Sequence, residues 1–417
     1  MRHLTSTIAA SILLAFAGVW IFGGAMAEVA WLGELFLRAL KSIIVPLVML
    51  SMLTGITGLG DVRRLGTLGS RTLIYFGATT AAAVVLGAVV VSVLQPGAGI
   101  AAAGLAIPEK VASKRDLGLS DIVLGFVSDN VVGAMANLQM LPLIVFSLAL
   151  GAVLTTMGSR ARPLVELLEI GNEAMMRLVH LLMWLAPVGI FGLVGGRFGK
   201  AVAQGGFDGL IAQLSAVGAY MAAILLGLAI HAVLVLPAVL WWFGKRSPWP
   251  FARGMGTALL AAFSTASSSA TLPLTLEGVE ERNGVDKRAA QLVVPMGATV
   301  NMNGTALYEA VAAIFIAQAM GIELSTGQLL VVAITATLAA IGAAGIPEAG
   351  LVTMVMVLRA VDLPLEGVEL ILAVDWLLDR FRTAVNVWGD AVGAAVVEVA
   401  LPADEAIARA PDPSGDA

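Results

Sequence analysis

The sequence predicts an all-α polytopic membrane protein, and three observations carry that prediction. Of 417 residues, 59% are hydrophobic and only 13% are charged. Soluble domains carry roughly 25% charged residues, so this chain lacks the charge to cover a surface in water. Mean hydropathy is +0.93. Apolar runs as long as a helical bilayer crossing, about 20 residues, recur along the chain. The lipid bilayer is therefore an expected partner. A formal net charge of -5 leaves no basic footprint for nucleic acid, which is not expected to bind. With no Cys, disulfides, thiolate nucleophiles and Cys-ligated metals are excluded. His3, His180 and His231 lie far apart, so no His-based metal site is expected.

The first apolar run covers 5–24. Arg2, the run Ile8 to Phe22 and Ala25-Met26-Ala27 resemble a signal peptide with its cleavage site. The apolar segments that follow favour a first span instead. Further spans are expected near 30–58, 70–95, 118–157, 163–196 and 208–243. Several exceed one perpendicular crossing, which predicts tilt or breaks. The 96–117 segment, with Pro96, Gly97, Gly99, Lys110, Lys114 and Arg115, reads as an exposed loop, and 402–417 as a polar tail. With alternating spans, Arg2, Arg63, Arg64, Arg160, Arg162, Lys245, Arg246, Arg282, Lys287 and Arg288 share one side. Fewer basic residues fall on the other, a bias that predicts a cytoplasmic N-terminus.

After residue 248 the pattern changes. Segments 254–275 and 330–357 are apolar but interrupted, first at Ser264 to Pro273 and then at Gly342 to Gly350. Each half is too short to span. Broken helices at membrane depth are tolerated where they are buried in protein or face a water-filled cavity. Each break precedes a helix rich in polar residues, 289–318 and then 367–397. Paired interrupted segments in two halves point to a transporter's binding site; two kinked ordinary helices are the plain alternative.

In the last helix, Asp375, Asp379, Arg382, Thr383, Asn386 and Asp390 fall on one stripe of roughly 100° at helical spacing, with Arg380 off it. Intramembrane charges are costly, so they mark function or ion pairs. Arg382 can clamp an anionic group bidentately, and Asp379 can hold an ammonium. Asn386 and Asp390 supply oxygens suited to a hard cation. The alternative is a self-neutralising ion-pair network, which would leave surplus negative charge. In the earlier helix, Gly297 and Asn301-Met302-Asn303-Gly304-Thr305 weaken the helix and free carbonyls for an ion cage; interhelical hydrogen bonding is the plain reading. A lone carboxyl among apolar residues favours its neutral form, which makes Glu309 a candidate proton carrier. The serine cluster 264–269 lacks a nearby His or Lys base and a G-x-S-x-G elbow. It reads as a hairpin tip that binds a carboxylate at a helix N-terminus, and no enzymatic activity is expected.

These motifs, in this order, resemble the glutamate transporter family, also called dicarboxylate/amino acid:cation symporters, in its acidic amino acid branch. The likeness covers nearly the whole chain and is strongest over 255–398. Ser267-Ser268-Ser269 matches the first hairpin tip, Asn301 to Thr305 the unwound Asn-Met-Asp-Gly-Thr motif, Gly342 to Gly350 the second tip, and Asp375 to Asp390 the substrate and cation helix. The resemblance implies eight transmembrane helices plus two re-entrant helical hairpins, inverted repeats, a homotrimer and an elevator mechanism. Scaffold helices 1–2 would occupy 1–69, helix 3 70–96, and scaffold helices 4–5 118–196. The transport domain would run over 208–400, with hairpins near 249–280 and 326–360 and helices near 287–320 and 364–400. Residues 401–417 would form a cytoplasmic tail, both termini lying inside a prokaryotic inner membrane.

The family's roles carry over residue by residue. Arg382 would bind a side-chain carboxylate and Asp379 an amino group, with Thr305, Thr383 and Asn386 adding hydrogen bonds. Ser268 and Ser269 would hold the main carboxylate, with Ile346 and Gly350 contributed by the second tip. Having both Arg382 and Asp379 favours L-glutamate or L-aspartate over neutral amino acids and C4-dicarboxylates. Arg380 resembles the gating arginine that animal members carry here rather than in the first hairpin, where this chain has Ala266. A cation site would use Gly297, Asn301, Met302, Asn386 and Asp390, and another Thr299 with carbonyls of Ala340, Ile341 and Ala343. The departures concern the remaining sodium site. Asn303 stands where sodium-coupled members have Asp, and Phe76 where Tyr is usual, beside Thr79 and Thr80. Glu309 matches the proton-carrying position of animal members, and Glu348 is an extra acid without an assigned role. The expectation is a symporter without cofactors, coupled to H⁺ and to fewer Na⁺ than its sodium-coupled relatives. A sodium-coupled acidic amino acid symporter and a C4-dicarboxylate symporter are the alternatives.

Overall fold

The computed structural model describes residues 2–58, 66–98, 124, 126–137, 139–341, 349–399 and 401. Every regular element among them is a helix. In order these are α1 (Arg2–Phe22), α2 (Ala30–Gly58), α3 (Gly66–Leu94), α4 (Val131–Ala136), α5 (Met140–Thr156), α6 (Arg162–Met183) and α7 (Ala186–Ile230). There follow α8 (Leu236–Trp242), α9 (Pro248–Gly254), α10 (Gly256–Thr265), α11 (Ser268–Glu277), α12 (Lys287–Val300) and α13 (Asn303–Ala319). The last three are α14 (Thr326–Ile341), α15 (Ala349–Ala360) and α16 (Leu372–Glu398). Four stretches among the described residues are long and apolar enough to cross a membrane: Ala10–Phe36, Leu68–Leu94, Ala186–Trp242 and Lys287–Ala319. With these stretches the chain is a multi-pass membrane protein.

Spans expected at 5–24, 30–58 and 70–95 correspond to α1, α2 and α3. Two expected spans divide. The 163–196 segment breaks at Trp184 and Leu185, between α6 and α7. Its first half, α6, is amphipathic, with exposed ion pairs Arg162–Glu166 and Arg177–Glu173 one turn apart, so periodic charge rather than uniform apolarity shapes it. The described part of 118–157 forms two helices, because Asn137 and Gln139 interrupt it. The 208–243 span is the second half of α7, continued through a π-helical turn at His231–Val235 into α8. Its start coincides with Gly206, whose φ of 61° breaks α7 and which glycine adopts without steric cost.

Packing of α7 against α1 and α2 depends on small residues. A Cβ at Gly192 would sit 2.5 Å from the Gly33 nitrogen, a backbone approach closer than any side chain permits. The interrupted segments form two pairs of short helices, α10 with α11 and α14 with α15, each pair in mutual contact. The first break is Ala266, at φ 51°, followed by extended Ser267. The second, 342–348, lies outside the described residues. The helix carrying Asn301 to Thr305 is the molecule's centre: its whole apolar window is buried. It contacts α3, α7, α14, α15 and α16.

Candidate functional site

The site begins where α12 gives way to α13. Asn301 and Met302 leave helical geometry, at φ/ψ of -103°/72° and -103°/64°. Both are buried, as are Asn303 and Thr305. The side chain of Asn386 on α16 bridges this break. Its Oδ1 accepts from Gly304 N–H at 2.7 Å, and its Nδ2 donates to Thr305 Oγ1 at 3.2 Å. Close approach makes this possible, since a Cβ on Gly304 would lie 2.6 Å from the Arg382 carbonyl oxygen. The sequence reading of a helix weakened at Gly and Asn therefore corresponds to a real interruption.

All six residues of the predicted stripe on α16 are buried. Arg382, with 0% exposure, is the largest fully buried side chain among the described residues. Its Nη2 donates to Asp379 Oδ1 at 2.8 Å, and its Nη1 lies 3.1 Å from Asp375 Oδ1. Its guanidinium stacks 3.9 Å over the Tyr308 ring. Nε has no acceptor among the described residues, and Nη1 is held by Asp375 through charge alone, so donors of the planar fork can turn to an incoming carboxylate. Gly350, at the start of α15, leaves room for that fork: a Cβ there would be 2.7 Å from Arg382 Nη1. Thr383 donates its hydroxyl to the Asp379 carbonyl at 2.8 Å and so engages its own helix.

The first hairpin tip presents Ser267 to Ser269 at the N-terminus of α11. Ser267 caps that helix, accepting from Ala270 N–H at 3.2 Å. Ser268 is buried and Ser269 exposed. Arg380 reaches the other helix of this hairpin, donating to the carbonyls of Phe263 (3.0 Å) and Ser264 (2.7 Å) at the C-terminal end of α10. A cation there complements the negative end of the helix. Ile346, Ala343 and Glu348 lie outside the described residues, and the side chain of Ile341 does too.

A second cluster gathers around Asp390. Asn301 Nδ2 donates to Asp390 Oδ1 at 2.9 Å. Gly297 packs so closely on the Asp390 carboxylate that no Cβ would fit. Thr79 Oγ1 stands 3.5 Å from Asn301 Oδ1, and Thr80 donates to Asn303 Oδ1 at 2.8 Å. Gly297, Asn301, Asn303, Asp390, Thr79 and Thr80 are thus brought together. Asn303 keeps an unpaired Nδ2 where a carboxylate would offer a second oxygen. Phe76 is buried nearby and carries no hydroxyl, but Tyr75 beside it donates to the Gly389 carbonyl at 2.7 Å. Thr299 is exposed and donates to the Met296 carbonyl at 3.1 Å, while Ala340 is buried on α14.

Glu309 is fully buried on α13. Thr353 and the charge of Arg382 are near enough to act on it, so it is less isolated from cations than its sequence neighbours suggest. Sequence reasoning missed the pairing role of Asp375, the stacking of Tyr308 and the contribution of Tyr75. A signal existed for Asp375, which sits two turns before Arg382 on the same stripe. None existed for Tyr75, whose partner is remote in sequence.

The family model described as "Sodium:dicarboxylate symporter family" matches residues 4–400. "Excitatory amino acid transporter 3" of Homo sapiens is 40% identical over 95% of this chain and 84% of that protein. "Excitatory amino acid transporter 1" of Ambystoma tigrinum is 40% identical over 88% of this chain and 76% of its own length. An "Excitatory amino acid transporter" of Caenorhabditis elegans is 39% identical over 94% and 86%.

Proposed function

The chain belongs to the sodium:dicarboxylate symporter family, and from that premise we propose that it imports acidic amino acids, L-glutamate and L-aspartate, by secondary active symport. Membership makes it a transporter rather than an enzyme. The observation that carries the substrate reading is the buried Arg382 fork between Asp375 and Asp379, whose Nε has no acceptor among the described residues. That pairing suits a molecule bearing both a side-chain carboxylate and an amine. Thr305, Thr383 and Asn386 flank it, with Ser268, Ser269, Ile346 and Gly350 on the hairpins. The related transporters named for excitatory amino acids support the same substrate class.

The coupling proposal rests on different residues. Asp390, Asn301, Met302, Asn386 and the Gly297 carbonyl form a cation site, and Thr299 with the carbonyls of Ala340, Ile341 and Ala343 a further one. Asn303 and Phe76 weaken the third, beside Thr79 and Thr80. Glu309 carries a proton in exchange. Arg380 gates the first hairpin. Assembly is a homotrimer in a prokaryotic inner membrane, with both termini cytoplasmic. Residues 208–400 with 70–96 move as an elevator against 1–69 and 118–196.

Uptake of labelled glutamate into proteoliposomes, with Na⁺ and H⁺ gradients imposed separately, tests the proposal. Uptake driven by an H⁺ gradient is the expected result. A strict Na⁺ requirement with no response to pH would establish the sodium-coupled alternative, which the family's name favours. Strong competition by succinate would favour the C4-dicarboxylate reading instead, against which Asp379 argues.

A further inference from the structure

A groove of about 560 Å³ opens on the outside of the bundle between α3, the π-helical turn with α8, and the end of α16. That volume is within the range of small-molecule sites, about 300–1,000 Å³. Its walls are apolar, with Val235, Val239 and Val396 among them, and Arg71 and Lys245 line the same groove. Both cations are exposed, and neither makes an ion pair among the described residues. Lys245 is presented by an ordered turn. Its φ is 51°, and the next residue, Arg246, is tied to the carbonyl oxygens of Asn283 (2.5 Å) and Gly284 (3.1 Å) and to Glu398 (2.8 Å).

The aromatic residues beside the groove mark its depth in the membrane. Trp241 and Trp242 stack with centroids 6.3 Å apart and remain 63% and 67% exposed. Trp249 is also exposed, with Arg253 over its ring at 5.1 Å. Exposed Trp clusters mark the membrane–water interface. The two cations, without ion pairs among the described residues, therefore sit at headgroup level, and the apolar walls extend from them along the helices. Charge complementarity selects an occupant with a negative head and a hydrocarbon tail.

We propose that this groove binds one anionic phospholipid of the surrounding leaflet, its phosphate held by Arg71 and Lys245 and an acyl chain lying along Val235, Val239 and Val396. Native mass spectrometry of the delipidated full chain, titrated with phosphatidylglycerol and with phosphatidylcholine of the same acyl chains, tests this. Phosphatidylglycerol should bind the more tightly and saturate at one per chain. The double variant R71Q/K245Q should weaken its binding by roughly thirtyfold, the effect of removing two cations near an anionic surface, at unchanged melting temperature. Ala82→Phe, which fills the groove without touching charge, should weaken both lipids; Ala82→Met serves if the larger residue does not fold. Equal affinity for the two lipids, or indifference to R71Q/K245Q or to the groove-filling variant, would overturn the proposal. So would full displacement by inorganic phosphate alone, which would leave a free-anion site.

Discussion

Arg382 shows how one residue serves two requirements. A buried guanidinium needs counter-charge, and Asp375 and Asp379 supply it. Removing the cation outright would strand both acids at a cost of roughly 3–5 kcal/mol, so Arg382→Lys is the cleaner probe. It keeps the charge and loses the planar fork. Glutamate affinity should fall roughly tenfold to a hundredfold, the scale of a lost charge-assisted contact; an unchanged Kd by calorimetry would remove the clamp from the site. Asn303→Asp restores a carboxylate beside Thr80 and should strengthen the Na⁺ dependence of uptake. An identical Na⁺ titration would mean that this position does not set coupling. For Glu309, the sign follows from a proton carried inward: uptake rises as external pH falls. Gln holds the neutral form permanently, so Glu309→Gln should flatten the pH profile, and a profile like the parent's would move the proton elsewhere.

At the scale of elements, the breaks matter more than the helices. Gly304 follows the Asn301–Met302 interruption, and its missing Cβ lets α13 approach the α16 backbone. The obstruction is a carbonyl rather than a flexible side chain. Gly304→Ala should therefore destabilise by about 1–3 kcal/mol, seen as a lower melting temperature in detergent. Ala266, the left-handed residue at the first hairpin break, is the opposite case. A non-glycine residue there costs roughly 1–2 kcal/mol, so Ala266→Gly should raise the melting temperature. Both breaks were legible as departures from apolar periodicity. The length of the 163–196 segment predicted tilt or a break, but not its place, because α6 keeps enough Leu, Val and Met between its acids to read as part of one long span.

For the whole molecule, the scarcity of charge is the organising fact. The exposed ion pairs lie on surface helices such as α6, and buried charge gathers mainly on the stripe of α16, which packs against the largely buried α12–α13 helix. The exposed surface elsewhere is strongly apolar, as a bilayer requires. On the proposed assembly, native mass spectrometry should find three copies of the 42.9 kDa chain; a monomer under mild detergent conditions would contradict it. The membrane class, the breaks near Ala266 and at Asn301–Met302, the α16 stripe and the departure at Asn303 were readable from the chain alone, because composition and helical spacing are local properties. Folding in three dimensions was needed to set Asp375 against Arg382, Tyr75 on Gly389, Thr80 on Asn303, and Arg71 and Lys245 in one groove. Those contacts join helices distant in sequence, or depend on how a side chain turns within one helix, and packing rather than spacing sets them.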